Sequence, residues 1–385
     1  MAKVRKKTRR MKRGGIDMAL FCTLMIMLAF GLIMVFSASS PSAYYNNGDQ
    51  FYYIKKQLIW MLLGFVAMYF FAVIDINIIK KYAGPFCAVT LVLMLLVPII
   101  GVSSNGAKRW LGVGPITFQP SEIAKFALIL YLSKRLAQMS PKRLQTFKEG
   151  IFPLLFIVIL FAGAMILQDH LSAAIVTFVT MMILLVAGGV NIAQLGFVGI
   201  TGIACLVPFA FLKAYRLKRL MAFVNPFAYV KDIGWQIVQG LYAIGSGGLF
   251  GRGLGQSRQK FLYVPEAHND YIYAILCEEL GFIGALIVAV LFVVFLTRCV
   301  KLALATPDKF MSLTVFGIST LITLQYVINI GVVTSSLPNT GMQLPFFSAG
   351  GSSLVFLMSA MGIVFNISRY SKKEKGLTSG DKDAA

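Results

Sequence analysis

The sequence predicts an all-α polytopic membrane protein with ten transmembrane helices and one long extracytoplasmic loop between helices 7 and 8. Hydrophobic residues form 58% of the chain and charged residues 13%, which is far from the composition of soluble domains. The apolar residues gather in runs close to the length that a helix needs to cross about 30 Å of hydrocarbon. Lysine and arginine collect in alternate connecting segments, as positive cytoplasmic loops do.

The first span follows a basic tail over residues 1–15, which is predicted to be cytoplasmic. An apolar run from 16 to 36 comes next and resembles a signal peptide, because small residues follow it. Cleaved signals have an apolar region of roughly 7–15 residues, and this run is longer. We therefore predict a retained helix.

Nine further apolar runs are predicted to cross the membrane as helices. They cover residues 58–74, 84–100, 121–136, 151–168, 171–189, 191–212, 271–297, 312–333 and 345–366. The prediction is one membrane domain over 16–370 and a C-terminal tail over 371–385. With the first tail inside, most of the 36 lysines and arginines are cytoplasmic, which predicts that both termini are cytoplasmic.

The net charge of +21 is attributed to this bias in the loops, so no nucleic-acid partner is expected. The external loop, predicted over 213–270, is an exception because it is basic between Lys213 and Lys260. Long loops cross the membrane largely regardless of charge. Its charges suit an anionic lipid headgroup or simply a solvated surface, and charge alone does not separate these readings.

Two other patterns exclude common sites. The segment Gly240–Gly255 holds seven glycines but lacks the Gly-Lys-Ser/Thr ending of a phosphate-binding P-loop, so close packing or an irregular backbone is expected. The five cysteines lie in or beside apolar runs without the close pairs of zinc or redox sites.

Asp270 is the best candidate for a general base on the outer side. It stands where a water-exposed loop turns into an apolar helix, and such a place raises the pKa of a carboxyl group and strengthens it as a base. The alternative is a helix N-cap, which aspartate often forms. His268, two residues earlier, is expected to be a hydrogen-bonding partner rather than a metal ligand, since no Cys or His cluster lies nearby.

Four charged residues are predicted inside spans, where charges are costly unless paired or functional. Glu122 and Lys125 share a helix face at i and i+3, and they favour a polar cavity beneath the substrate. Glu278 and Glu279 lie about two turns into another helix. For Glu279 an interhelical ion pair is the preferred interpretation.

At these residues the chain resembles the SEDS family (shape, elongation, division and sporulation) of peptidoglycan polymerases. The resemblance covers about 16–370. It rests on GLIMVFSASS at 31–40, GAKRWLGVGPITFQPSEIAK at 106–125, the segment 253–284 with SRQKFLYVPEAHND, NIGVVTSSLPNTGMQLPFFSAGGSSL at 329–354 and NISRY at 366–370. The wording of SRQKFLYVPEAHND is more similar to the division and sporulation branch than to the elongation branch.

The resemblance implies roles for individual residues. Asp270 matches the essential aspartate at the start of the eighth helix, and Glu122 and Lys125 match a polar pair. The substrate-binding residues expected from matched external or cavity-facing segments are Arg109, Glu122, Lys125, Arg216, Arg258, Lys260, Glu266, His268 and Ser352. Two departures stand out: His170 occupies the aspartate position of the usual Gln-Pro-Asp-Leu-Gly, where Asp169 is a possible substitute, and Ala349 stands where tyrosine is usual.

The implied function is polymerisation of lipid II into β-1,4-linked glycan on the outer face of the bacterial cytoplasmic membrane, with release of undecaprenyl pyrophosphate. The expected partners are lipid II, the growing glycan strand, a class B penicillin-binding transpeptidase, other division proteins and membrane lipid. A divalent cation, Mg²⁺ or Mn²⁺, could stabilise the leaving group, although no ligand cluster in the sequence requires one. A lipid II flippase and a non-catalytic scaffold that recruits a transpeptidase stay open as alternatives.

Overall fold

The computed structural model describes residues 14–371 apart from 105–106, 114–115, 212–213 and 233. The described chain is mainly helical. In order its elements are α1 (Met18–Asn47), α2 (Tyr52–Val73), α3 (Ile76–Ile100), β1 (Val102–Ser104), β2 (Ala107–Val113), β3 (Ile116–Phe118), α4 (Pro120–Gln138), α5 (Pro141–Leu144), a π turn (Phe147–Ile151), α6 (Phe152–Leu167), α7 (Leu171–Ala187), α8 (Ile192–Phe211), α9 (Ala214–Val224), a 3₁₀ turn (Pro226–Tyr229), α10 (Gly234–Gly247), α11 (Ile272–Ala305), α12 (Lys309–Val333) and α13 (Ser352–Ser368).

Each predicted apolar run coincides with one of these helices, so the all-α membrane fold is confirmed. Within the described residues, six helices are long and apolar enough to cross a membrane: α1, α2, α3, the continuous Phe147–Leu167 helix, α11 and α12. Shorter apolar helices cover Leu171–Ala187, Ile192–Gly202 and Ser352–Ser368. Helix α4 carries charges at both ends. The count of ten spans stays a prediction.

Several helices extend beyond the predicted runs, and two boundaries differ for evident local reasons. Helix α1 continues to Asn47, where Gly48 takes the left-handed conformation (φ 69°) and its N–H bonds to Tyr44 O, a usual helix stop. The last helix begins at Ser352, not near 345, because the residues before it form turns that include positive φ angles at Phe346 (68°) and Gly351 (46°). This non-helical segment forms part of a cavity wall described below.

A small antiparallel sheet joins α3 to α4, and the sequence did not predict it. Its strands are ordered β1-β2-β3, with Val102 paired to Trp110 and Leu111 paired to Phe118. Pairing within the sheet satisfies backbone groups that a loop at the membrane surface would leave exposed. The central strand β2 thereby presents Arg109 and Trp110 to the cavity.

Helix α12 is central to the bundle and contacts α4, α7, α11 and α13. Helix α13 also packs along α2. The ring of Phe292 in α11 stacks on Tyr326 in α12, with centroids 3.9 Å apart. Aromatic pairs of this kind add to the packing of apolar helix faces. These packed helices support the non-helical segments before α11 and α13.

Helix α11 is interrupted at Gly281, whose φ of 66° and ψ of −165° are not helical. Backbone groups on both sides of the kink bond to the glycine-rich loop instead of to the helix itself. Phe282 N donates to Gly248 O at 2.9 Å and Ile283 N to Leu249 O at 3.2 Å. In return, Glu278 O and Glu279 O each accept a loop N–H at 2.9 Å. The irregular backbone expected for Gly240–Gly255 thus completes a broken membrane helix.

The predicted loop 213–270 contains regular structure. Helices α9 and α10 lie within it, and α10 packs on α11. Trp235 Nε1 donates to Tyr263 O at 2.7 Å and Gln236 Nε2 to Pro265 O at 3.1 Å. These bonds connect α10 to the segment that leads to Asp270.

Candidate active site

A cavity of about 160 Å³ lies between the sheet, the start of α4 and the non-helical segment before α13. Its walls combine polar and apolar groups. The residues are Arg109, Trp110, Gln119, Glu122, His170, Gln325, Gly341, Met342, Gln343, Leu344, Pro345, Phe346, Ser348, Gly350, Ser353, Leu354 and Leu357. Apolar walls with a few converging polar groups are typical of a ligand site.

Glu122 and Lys125 form the predicted pair at the start of α4. Lys125 Nζ lies 2.7 Å from Glu122 Oε1, and the lysine side chain is fully buried while the glutamate is 14% exposed. Ser353 Oγ donates to the other glutamate oxygen at 3.1 Å. Glu122 therefore faces the cavity, and Lys125 lies behind it as the counter-ion. The polar cavity predicted at Glu122 is present in the structure, and the position of the substrate above it stays a prediction.

His170 lines the cavity at the position where the family usually has aspartate. Its Nδ1 lies 3.1 Å from Gln119 Nε2 and 3.3 Å from Ser121 Oγ. Burial, followed by the charges of Arg109 and Lys125, lowers the pKa of His170 to about 3, so the imidazole is neutral at physiological pH. Asp169 is not part of the cavity wall. Its carbonyl accepts a hydrogen bond from Arg109 Nη2 at 2.6 Å.

Asp270 lies beside this cavity. A Cβ placed on the cavity residue Gly341 would be 3.8 Å from Asp270 Oδ2. The N-cap position of α11 belongs to Tyr271, whose side chain makes no capping hydrogen bond. Asp270 Oδ1 is buried and accepts no hydrogen bond from any residue that the structure describes. Helix capping therefore does not account for this carboxylate.

The surroundings of Asp270 favour its protonated form. Burial raises the pKa of the Asp270 carboxyl to about 7; the charge of Glu266 also raises it, whereas Arg219 on α9 lowers it. A carboxyl group with this pKa takes up and releases a proton near neutral pH, as a general base must. Arg219 also contacts the segment before α13, where its Nη1 donates a hydrogen bond to Asn339 O at 3.4 Å.

His268 lies close to Asp270 in the chain but does not face solvent. Its side chain is buried, and its ring packs on Tyr53 with centroids 4.3 Å apart. Burial lowers the pKa of His268, and the nearby Glu266 opposes this shift. The predicted substrate-binding role stays a prediction, and the contacts are those of a packing residue. Glu266 itself is exposed, with a φ of 51° and a hydrogen bond from Asn269.

The basic loop before Asp270 is tied to α11 by Glu278. This buried carboxylate accepts hydrogen bonds from Ser257 Oγ, from Arg258 N at 3.0 Å and from Gln259 N at 3.2 Å. Arg252 Nε lies 3.7 Å away. A buried carboxylate needs such partners, and here they fix the turn that carries Arg258.

Lys260 forms the second tie and corrects an expectation. It was predicted to contact substrate, but its side chain is 5% exposed and its Nζ lies 2.9 Å from the fully buried Glu279. Ser37 Oγ donates to Glu279 at 2.7 Å, and Lys260 Nζ also donates to Gly255 O at 2.7 Å. The ion-pair interpretation of Glu279 agrees with this geometry. Lys260 pairs with Glu279 because α11 places this carboxylate, which has no contact with water, beside the ammonium group.

The remaining predicted residues are dispersed. Arg258 is exposed, so its guanidinium is accessible. Ser352 is buried, and its hydroxyl has no hydrogen-bond partner among the described residues; the adjacent Ser353 contacts Glu122 instead. Arg216 lies in α9, and its side chain falls outside the part of the chain that the structure describes.

Sequence reasoning missed four residues at the site: Arg219, Asn329, Ser348 and Ser353. Ser353 was inside a quoted motif, yet the helix register that turns it toward Glu122 depends on the start of α13. Asn329 and Ser348 contact the Asp270 segment across more than fifty positions of sequence. Polar residues in apolar runs were the available signal.

A resident metal ion has no evident ligand set here. Among the residues that the structure describes, no group of three or more His, Cys, Asp and Glu side chains is placed to hold one. Because protein metal sites are built from such groups, we derive no step through a cation.

Known proteins show the same pattern over nearly the whole chain. The chain is 40% identical to stage V sporulation protein E of Bacillus subtilis (strain 168) over 363 residues, covering 94% of this chain and 99% of that protein. It is 39% identical to the probable peptidoglycan glycosyltransferase FtsW of Geobacter sp. (strain M18) over 359 residues, covering 92% and 97%.

Solved structures share the fold. One is a structure of a peptidoglycan synthase complex that coordinates polymerization and crosslinking; it matches with a TM-score of 0.77 at 26% identity and covers 93% of this chain and 99% of its own. The crystal structure of the rod shape determining protein RodA of Thermus thermophilus matches with a TM-score of 0.69 at 25% identity, covering 93% and 98%. The cell cycle protein family model that unites FtsW, RodA and SpoVE matches residues 17–373. The chain therefore belongs to the FtsW/RodA/SpoVE family of cell cycle proteins.

Proposed function

We propose that this protein is a peptidoglycan glycosyltransferase that polymerises lipid II into β-1,4-linked glycan strands. The observation that carries the proposal is the partly buried Asp270 carboxyl, whose Oδ1 atom is buried without a hydrogen-bond partner among the described residues and whose pKa is raised to about 7. The names of the relatives agree with this activity. A transferase of this kind needs no nucleotide, since the bond to pyrophosphate is already activated.

In the proposed step, Asp270 accepts the proton of the 4-hydroxyl group of the acceptor sugar. The hydroxyl oxygen attacks the anomeric carbon of the lipid-linked donor strand on the face opposite the pyrophosphate. A carbon–oxygen bond to the acceptor forms, the bond to undecaprenyl pyrophosphate breaks, and the configuration inverts to β. The electron pair of the broken bond leaves with the pyrophosphate, and Asp270 later releases the proton to water.

Negative charge grows on the pyrophosphate as it leaves, and fixed cations stabilise such charge. Arg109 on β2 lies in the cavity wall, Arg219 lies close enough to Asp270 to lower its pKa, and Arg258 is exposed on the adjoining loop. Of the three, only Arg219 is close enough to act on the Asp270 carboxyl, while Arg109 faces the cavity and Arg258 is open to solvent. Guanidinium is well suited to phosphate oxygens because it offers several N–H donors in one plane.

We further propose that the reaction takes place on the outer face of the bacterial cytoplasmic membrane, with both termini in the cytoplasm. Support comes from the basic segments on the opposite side and the positive-inside rule. The proposed partner is a class B penicillin-binding transpeptidase, since one structural relative is a complex of polymerization and crosslinking. We propose a role in division or sporulation because the relatives carry the names FtsW and stage V sporulation protein E.

The test is glycan synthesis by the purified protein, with its transpeptidase partner, from lipid II as the only precursor. The parent should produce glycan ladders, and Asp270→Asn should reduce the rate by about 10²–10⁴-fold, the usual contribution of a general base. The matched control is Asp232→Asn, which removes an exposed carboxylate, 59% accessible, from the same loop. It should polymerise at the parental rate.

Lipid II binding should persist in the Asp270→Asn protein, because removing a negative charge does not weaken the attraction of arginine for pyrophosphate. An Asn variant that polymerises as fast as the parent would show that Asp270 is not the base and would direct attention to Glu266. If the parent forms no glycan but moves the lipid II headgroup across a vesicle membrane, the protein is a flippase. Failure of both activities, with retained binding of the transpeptidase, would indicate a scaffold.

A further inference from the structure

The backbone around Asp270 is held at three consecutive carbonyl groups. Ala349 N donates to His268 O at 2.9 Å, Ser348 Oγ to Asn269 O at 2.5 Å and Asn329 Nδ2 to Asp270 O at 2.8 Å. The donors come from α12 and from the segment before α13. Backbone carbonyl groups in a protein interior need hydrogen-bond partners, and these three bonds fix the segment although it is not part of a sheet or helix.

Both side-chain donors also hold the cavity wall. Asn329 Nδ2 donates a second hydrogen bond to Met342 O at 2.7 Å, and Ser348 Oγ accepts one from Leu344 N at 2.8 Å. Asn329 is fully buried and Ser348 is 4% exposed. Each side chain therefore joins the segment that carries Asp270 to the segment that lines the cavity.

We propose that Asn329 and Ser348 are positioning residues for glycosyl transfer, which set the Asp270 carboxylate against the cavity in which the acceptor sugar lies. The proposal rests on the proposed function, because it assumes that Asp270 is the base. Neither residue touches the reacting atoms. Their action is to fix the carbonyl groups of Asn269 and Asp270, while the third carbonyl, that of His268, is held by the backbone of Ala349.

A small displacement of Asp270 is expected to have a large effect on turnover. Catalytic groups must be held within roughly 0.5 Å of the productive position, and a displacement of about 1 Å can lower the rate about 10²-fold. Asp270 is attached to the rigid helix α11 only on its C-terminal side, through Tyr271. Loss of an anchor on the other side should therefore reduce turnover more than substrate binding.

The test compares three variants with the parent in polymerisation of purified lipid II. Ser348→Ala removes the hydroxyl, Ser348→Thr keeps it, and Asn329→Leu replaces the amide donor with a larger apolar side chain of the same branching. We expect Ser348→Ala to lower kcat about tenfold and Asn329→Leu about tenfold to a hundredfold, with KM within about twofold of the parent. Ser348→Thr should recover most of the turnover. Ser359→Ala, which removes a hydroxyl bonded to Val355 O on α13, is the matched control and should be unchanged.

The pH profile adds a readout that a general loss of stability would not move. The charged groups that face Asp270 are Arg219 from α9 and Glu266 from its own loop, and every variant keeps both. His268 is two residues away in the chain; burial lowers its pKa and Glu266 opposes that shift. Loosening the anchors should admit water to the carboxyl group, so the acidic limb of kcat/KM should move to lower pH in Ser348→Ala and Asn329→Leu.

Unchanged kcat and an unchanged acidic limb in both Ser348→Ala and Asn329→Leu, with Asp270→Asn inactive in the same assay, would overturn the positioning roles and leave the proposed function intact. Equal losses in Ser348→Ala and Ser348→Thr would also contradict the role of the hydroxyl. An active Asp270→Asn protein would instead reject the base on which the inference depends. If Asn329→Leu does not fold, the alanine and threonine variants of Ser348 decide the result.

Discussion

Asp270 shows how one carboxyl group is adapted to its place. An ordinary aspartate has a pKa of about 3.9, whereas burial brings that of Asp270 to about 7. Only the ionised form accepts a proton, so kcat/KM should fall as the pH drops below this value. We expect a decrease of roughly tenfold for each pH unit below 6, measured as glycan formed from limiting lipid II. A flat profile between pH 5 and 7 would contradict the assignment.

The same shift can be measured without enzyme activity. Because the pKa of Asp270 is higher in the folded protein than in the unfolded chain, its contribution to folding is most favourable below pH 4 and becomes a cost as the pH rises toward 7. The melting temperature of Asp270→Asn minus that of the parent should therefore increase over this range. No such increase is expected for the control Asp232→Asn. A constant difference would mean that the carboxyl group is not desolvated.

Lys125 illustrates a buried charge that depends on one partner. Its ammonium group is fully buried and contacts Glu122 at 2.7 Å, and removing one member of a buried pair typically costs about 3–5 kcal/mol. Lys125→Ala should reduce folded yield and activity, and adding Glu122→Gln should recover part of the yield. Arg135→Ala, at an exposed position of the same helix, is the control. Purely additive effects in the double variant would argue against coupling.

At the scale of elements, the break in α11 links the membrane helix to the external loop. Gly281 and Gly251 approach so closely that a Cβ on Gly281 would lie 2.3 Å from Gly251 N. Both have positive φ, at 66° and 78°, so a side chain at either position is strained and also collides with backbone. The four backbone hydrogen bonds between loop and helix depend on this contact.

Gly281→Ala should therefore lower the melting temperature strongly and reduce polymerisation, because the loop that leads to Asp270 loses its attachment. Gly245→Ala is the matched control. Gly245 lies inside α10, and a Cβ there would meet nothing within 4 Å. Alanine at that position should be neutral or stabilise by up to about 1 kcal/mol. Equal melting temperatures for the two variants would show that the kink carries no structural constraint.

For the whole molecule, the orientation in the membrane is the decisive expectation. Residues 1–15 and the segment near Lys142 are predicted to be cytoplasmic, whereas the region of Lys231 is predicted to be external. Both lysines are exposed in the structure. In a chain without its native cysteines, Lys231→Cys should react with an impermeant thiol reagent in intact cells, and Lys142→Cys should react only after lysis. The opposite pattern would invert the topology.

The sequence alone determined that the chain is an all-α membrane protein and which carboxylate is the best candidate for the base. Both depend on local information: an apolar run of sufficient length requires a helix in lipid because its backbone groups have no other partners. The environment of Asp270 was also local, since a polar loop meets an apolar helix at that residue. The resemblance of separated motifs then indicated the family, and the comparisons confirmed it.

Only the tertiary structure decided how the buried polar groups are shared. It placed Lys260 on Glu279 and not at an open surface, brought Ser353 instead of Ser352 to Glu122, and set Asn329 and Ser348 against the carbonyls beside Asp270. It also joined Val102–Ser104, Ala107–Val113 and Ile116–Phe118 in a sheet and replaced the hydrogen bonds lost at Gly281 with bonds to a distant loop. The physical reason is that a buried donor or acceptor requires some partner, while the one it receives depends on which elements pack together, and that packing joins residues far apart in the chain.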